Sequence, residues 1–280
     1  MFDYQRTLKS FPAWRQRQLR IIKRYRAFEV FYYRSSLWIH HLRVAAMIEE
    51  LAGTITGLLG GFDISRAWLG ALVHDDHEIV TGDIPLFHKE AMTPAEKGSL
   101  KDTEVCAAEG LAKKFPKTIN GYNYQQLLCA AIHKDSREAR VVSYFDKLDA
   151  YCESVHEVFA GNFSATFPMT DYPLRIARLQ EEYQDITPLF CRKDVPLLNI
   201  HLRADAREIK QENYLHLGRP HTPDSIRKKT DFLFYNDWRS LVAKRLGKQG
   251  LHWLTTKVEP VARVPVESIE PQPLKLALVS

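Results

Sequence analysis

The chain reads as an all-α protein, and three observations predict this. Apolar residues recur at three- and four-residue spacing in successive segments. Helix-start signals stand at the head of those segments, as in Thr93-Pro94-Ala95-Glu96. No convincing strand-turn-strand pattern occurs before residue 250.

With 280 residues and 45% hydrophobic content, the chain can bury a sizeable core. The net charge of +5 is too small to announce a nucleic-acid binder but favours anionic ligands such as phosphates. Cys106, Cys129, Cys152 and Cys191 form no CxxC pair, which excludes a zinc knuckle or disulfide framework and fits a reducing cytoplasm. The first residues lack the apolar core of a signal peptide, and no run of about 18 apolar residues could span a bilayer. A soluble cytoplasmic protein with no membrane partner is the expectation.

In chain order, residues 12–33 read as a helix with Trp14, Leu19, Ile22, Tyr25 and Phe28 among basic residues. Between Gln5 and Arg26 stand Arg6, Lys9, Arg15, Arg17, Arg20, Lys23, Arg24 and Arg26 with no acidic residue. Either this is a solvated basic face, or some of its arginines, Arg26 or Arg34 just beyond, hold a phosphate through bidentate contacts. Ser35 or Ser36 then caps a helix carrying Leu37, His40, Val44, Met47, Ile48, Leu51 and Ile55, which ends before Gly60-Gly61. His40 falls on the inward stripe; His41, turned by about 100°, reads as peripheral.

Asp63 caps a buried helix from Ile64 to Val73, and His74-Asp75 closes it. Helix neighbours can meet one ion only near a terminus or kink, which is where this pair lies. Residues 74–83 hold two histidines and four carboxylates, a density that neither a solvated loop nor a helix surface needs. Thr81-Gly82-Asp83-Ile84-Pro85 breaks the chain with a turn. The capping box opens a helix to about Phe115, and another runs from Asn123 to His133. Ser136 caps a long helix, Arg137 to Phe159, with Val142, Phe145, Leu148, Cys152 and Val155 inside and Gly161 as its stop. Asp146 sits at the edge of that buried stripe, where a carboxylate needs a metal or a cation. Helices are expected again at Leu174–Tyr183 and from Pro223 to Leu246, the latter capped by Thr222 and closed by Gly247. Pro260, Pro265, Pro271 and Pro273 mark the last stretch as extended or partly disordered.

His40, His74-Asp75 and Asp146 form a His…His-Asp…Asp series on three helices. This pattern resembles the HD-domain metal-dependent phosphohydrolases. Residues 74–85, with Glu78 and then Thr81-Gly82-Asp83 and Pro85, are similar to the signature of the bacterial HD 5′-deoxynucleotidase (YfbR-like) subfamily. So is the stretch from Asp146 to Asn162, with Asp-x-Leu-x-Ala-Tyr and a closing Gly-Asn. The resemblance covers roughly residues 10–165, with Ile39 where a Glu commonly precedes the first ligand.

The resemblance implies an HD-domain helical bundle over residues 1–165; the residues themselves predict a mostly helical extension over 166–250, without counterpart in the short family members, and a Pro-punctuated tail over 251–280. The resemblance implies that His40, His74, Asp75 and Asp146 bind one divalent ion, and this donor set suits Mn²⁺, Co²⁺, Fe²⁺, Ni²⁺ or Zn²⁺, with Mg²⁺ also open. Glu78 would orient or deprotonate a water, or protonate the leaving oxygen. Asp83 matches a position near the substrate sugar, or else closes its turn. Lys89 is a phosphate contact or solvated surface; His133, thirteen residues before Asp146, contacts the substrate, hydrogen-bonds a metal ligand or ligates a second ion, or else is a core or rim histidine. The expected activity is removal of phosphate from nucleoside monophosphates, with a homodimer implied. Triphosphohydrolase or phosphodiesterase activity on nucleotides is the alternative. From another class, the alternative is a non-catalytic module that binds nucleotides or nucleic acid.

Overall fold

A computed structural model describes residues 2–26, 30, 35–159, 162, 165–190, 247, 248 and 252. Arg34, Gly161, the helix expected at Pro223–Leu246 and all of the tail but position 252 lie outside the described residues. Two compact units divide the chain, Met1–Ala27 with Ser35–Ser143, and Phe28–Arg34 with Tyr144–Ser280.

In the first unit the elements are α1 (Tyr4–Lys9), α2 (Ala13–Ile21), α3 (Leu37–Glu50), α4 (Ala52–Leu58), α5 (Ile64–Val73), α6 (Glu78–Thr81), α7 (Leu86–Ala91), α8 (Pro94–Ala112) and α9 (Tyr124–His133). A two-stranded antiparallel hairpin, β1 (Thr118–Ile119) and β2 (Tyr122–Asn123), precedes α9. The sequence reading missed it. Its turn is Asn120-Gly121, both with positive φ (49° and 86°), the pairing that a tight hairpin turn demands. Among the described residues the fold is all-α apart from this ribbon.

Ser36 stands at the N-cap of α3 but makes no side-chain cap bond; other caps are formed. Asp63 accepts from Arg66 N at 3.0 Å and Asn123 from Gln126 N at 3.0 Å, while Thr93 and Glu96 form a reciprocal capping box. Two helices are shorter than expected. The chain leaves α2 at Ile22, which is extended, and Lys23 bridges to Ser36. The helix after Ser36 is interrupted at Leu51, and α4 resumes from Ala52 to Leu58.

The core of this unit is α3 against α5, with α9 on α5, α8 on α9 and α2 on α3. Every residue of α3 from Leu37 to Ile48 is buried, so this helix has no wet face. An aromatic cluster of Trp14, Phe115 and Tyr124 ties α2 to α9; the last two rings stack with centroids 4.4 Å apart.

Helix α10 (Arg137–Phe159) begins in the first unit and continues in the second, where α11 (Thr166–Glu182) and α12 (Thr187–Phe190) follow. Val142, Phe145, Leu148 and Cys152 are buried as expected, whereas the Val155 side chain lies outside the described residues. Helix α11 starts eight residues before the expected Leu174. No helix among the described residues is long and apolar enough to cross a membrane.

Candidate metal and phosphate site

The site is assembled where α5 ends against the first turn of α3. Helix α5 is buried from Ala67 to Val73, and His74 is its C-cap, so the following residues can leave the helical spiral and turn together. Nε2 of His40 and Nε2 of His74 lie 3.0 Å apart. Oδ2 of Asp75 is 3.5 Å from the first and 3.3 Å from the second. Ligands at right angles on one ion, with metal–nitrogen bonds of about 2.1 Å, are about 3.0 Å apart. The residues therefore fit a divalent cation.

The outer atoms agree. His74 Nδ1 donates to the carbonyl of Ala71 at 2.8 Å, which leaves its Nε2 lone pair for a ligand, the usual support of a metal-binding imidazole. Arg24 Nη1 donates to Nδ1 of His40 at 2.8 Å. A neutral ring that accepts there carries its proton on Nε2, where it donates to His74. Burial alone would raise the Asp75 carboxyl, but His74, His40 and His41 outweigh it and hold the group well below the usual range.

Glu78 is buried, with Oε2 unpartnered. Burial, and then the charges of Asp75 and Asp83, push its carboxyl well above the ordinary value. Asp83 is half-buried and also raised, by burial first, against the lowering field of Arg24. Neighbouring carboxyls are thus shifted in opposite directions, Asp75 down and Glu78 up.

Lys89, His133, Arg26 and Asp146 are the remaining predicted site residues among the described ones. Lys89 Nζ pairs with Glu104 Oε1 at 3.1 Å, and Glu104, Glu78 and Asp75 together raise its pKa against the effect of burial. His133 is exposed at the end of α9, and Arg26 is exposed after α2. Asp146, on the part of α10 in the second unit, pairs with Lys147.

Sequence reasoning missed three residues. His41 is not peripheral: it is 1% exposed, with its ring centroid 4.8 Å from that of His74. Arg24 was one of eight basic residues, and nothing in the spacing singled it out. Arg15 is no solvated face residue; it is 1% exposed and grips Asp76 through Nε at 2.8 Å and Nη2 at 2.7 Å. The second carboxylate in the dense 74–83 stretch was the available signal, since a buried Asp76 must find a cation.

A helical bundle carrying this imidazole–carboxylate triangle defines a class of protein built to hold a divalent cation among helices. The model of the YfbR-like 5′-deoxynucleotidases matches residues 13–190, and the chain belongs to that family. It is 28% identical over 150 residues to a 5′-deoxynucleotidase of Photorhabdus laumondii, covering 52% of this chain and 70% of that one. It is 29% identical over 124 residues to a 5′-deoxynucleotidase of Vibrio parahaemolyticus, covering 44% of this chain and 62% of the relative. The crystal structure of a Pyrococcus horikoshii protein is similar over 62% of this chain and 92% of its own length, at 21% identity and a TM-score of 0.49.

Proposed function

We propose that the chain is a metal-dependent phosphohydrolase that removes phosphate from nucleoside monophosphates, most suitably 5′-deoxynucleotides, in the cytoplasm. Membership of a 5′-deoxynucleotidase family makes it a hydrolase of phosphoric monoesters. The observation that carries the reading is the triangle of His40 Nε2, His74 Nε2 and Asp75 Oδ2, with a buried Glu78 carboxyl in its field.

His40, His74 and Asp75 would hold the ion, with Asp146 as the fourth ligand that the family resemblance implies. When bound, the ion supplies a Lewis acid for a phosphoryl oxygen and acidifies water. Borderline first-row ions suit two imidazoles and two carboxylates better than Mg²⁺. Glu78 keeps a proton to give to the leaving oxygen of the sugar, and Asp83 holds that end of the substrate in place. A His40 ring that ligates through Nε2 carries its proton on Nδ1 and no longer accepts from Arg24. The guanidinium then turns to the substrate phosphate, whose oxygens it matches in a bidentate pair.

The test is phosphate release from ribo- and deoxynucleoside mono-, di- and triphosphates with Mn²⁺, Co²⁺ or Mg²⁺, for wild type beside Asp75→Ala. The expected outcome is turnover of monophosphates by wild type only, with bound metal lost from the variant. Full activity and metal content in Asp75→Ala would overturn the assignment. Tripolyphosphate released from triphosphates, with monophosphates untouched, would replace it with a triphosphohydrolase.

A further inference from the structure

Beside the triangle stands an imidazole that the His…His-Asp…Asp pattern does not use. His41 is fully buried on α3, its ring centroid 6.0 Å from that of His40 and 4.8 Å from that of His74. Neither of its nitrogens has a hydrogen-bond partner. A buried polar atom left unsatisfied is costly, so a ring with two such atoms calls for a ligand. Asp76 Oδ1 is 3.8 Å from Nδ1, beyond hydrogen-bond range, and the carboxylate already receives bonds from Arg15 and Tyr124.

A ring nitrogen of His41, one of His74 and an oxygen of Asp75 all lie within 4.8 Å of one another. Opposite ligands on one ion with bonds of about 2.1 Å are about 4.2 Å apart, so a small turn of the His41 ring joins it to the same sphere. A separate second ion is disfavoured by the donor count. His74 has one nitrogen to offer, because Nδ1 is committed to Ala71, and two ions would have to share it.

We infer that His41 is a third imidazole of the metal centre, with Nε2 toward the ion and Nδ1–H toward Asp76, and that it biases the site toward Co²⁺, Ni²⁺ or Zn²⁺ over Mg²⁺. This rests on the metal centre proposed above. Asp76 then does for His41 what the Ala71 carbonyl does for His74: it fixes the ring and its tautomer. Its own orientation is set by Arg15 and Tyr124, so α2 and α9 contribute to the ion's surroundings without touching it. Nitrogen donors select the later first-row ions, and each added imidazole strengthens that choice.

The deciding measurement is the zinc-edge X-ray absorption of the full-length, zinc-loaded protein, which counts imidazole ligands by their multiple scattering. Three imidazoles in wild type and two in His41→Gln are expected. Zinc affinity in the variant should be weaker by about tenfold or more, with magnesium affinity little changed. Two imidazoles in wild type, or the same count in both proteins, would overturn the inference. The wild-type count decides even if the variant does not fold. A wild-type chain that takes up no zinc would overturn the metal centre and the third imidazole together; uptake with two imidazoles would overturn only the latter.

Discussion

Glu78 is a residue at which folding and catalysis pull in opposite directions. Its carboxyl is buried with one oxygen unpartnered, and burial and the neighbouring Asp75 and Asp83 raise its pKa in the folded chain. The folded protein therefore keeps a proton that the unfolded chain has already lost. Stability from this group falls as pH rises from the ordinary glutamate value, about 4.3, through the raised one, and stays low above it. Glu78→Gln removes that loss. In chelator-treated protein the variant should melt higher than wild type at pH 7.5, and the two melting curves should draw together near pH 4. Its kcat should drop by about 10²–10⁴ if the proton serves the leaving group. A variant that melts lower at pH 7.5 would show that the Glu78 carboxylate has a stabilising partner. At this scale His74 and Asp75 were legible from their place at a helix end, whereas His40 and Glu78 were assigned to the site by the family resemblance. His41 escaped because an offset of about 100° implies a wet face only when the helix has one, and α3 has none over its buried stretch.

Between elements, one buried ion pair governs how α2 meets the end of α5. Arg15 grips Asp76 with two nitrogens, also bonds the carbonyl of Leu72 and lies 4.1 Å over the ring of Phe11. Tyr124, the first residue of α9, donates to the same carboxylate at 3.0 Å, and burial and Asp76 hold its hydroxyl protonated. Removing one partner strands a charge in the core, so Arg15→Met should cost about 3–5 kcal/mol. Arg15→Met combined with Asp76→Leu leaves no stranded charge and should recover most of that loss in denaturant unfolding. If the double variant is no more stable than the single, packing around the guanidinium rather than its charge is what matters. The helices themselves were legible where a cap and a periodic stripe coincide, as at Asp63, Thr93, Asn123 and Ser136. They were not legible where a basic, weakly apolar run continues past the real end, as at Ile22, because nothing local marks where the chain turns to pair Lys23 with Ser36.

For the whole molecule, the family match runs from residue 13 to 190, whereas the sequence pattern weakens from about residue 165 onward. The metal triangle, Glu78, Asp83, Arg24 and the Arg15–Asp76–Tyr124 clamp all belong to the first compact unit, which ends at Ser143. Asp146, the proposed fourth ligand, follows three residues later on α10. The family match itself ends at Phe190. A chain ending at Phe190 should therefore bind the divalent ion and hydrolyse nucleoside monophosphates with kcat/KM of the same order as the full chain. Helix content by circular dichroism and metal stoichiometry should be measured first, so that a folding failure is separated from a catalytic one. A truncated chain that folds and holds its metal but turns over no monophosphate would assign residues 191–280 a part in substrate binding. A chain that does not fold would place them in the core of the second unit. Retained turnover would leave the extension to act on something other than the chemical step, and would confine the search for substrate contacts to the stretch that carries the His-Asp pair and its buried glutamate.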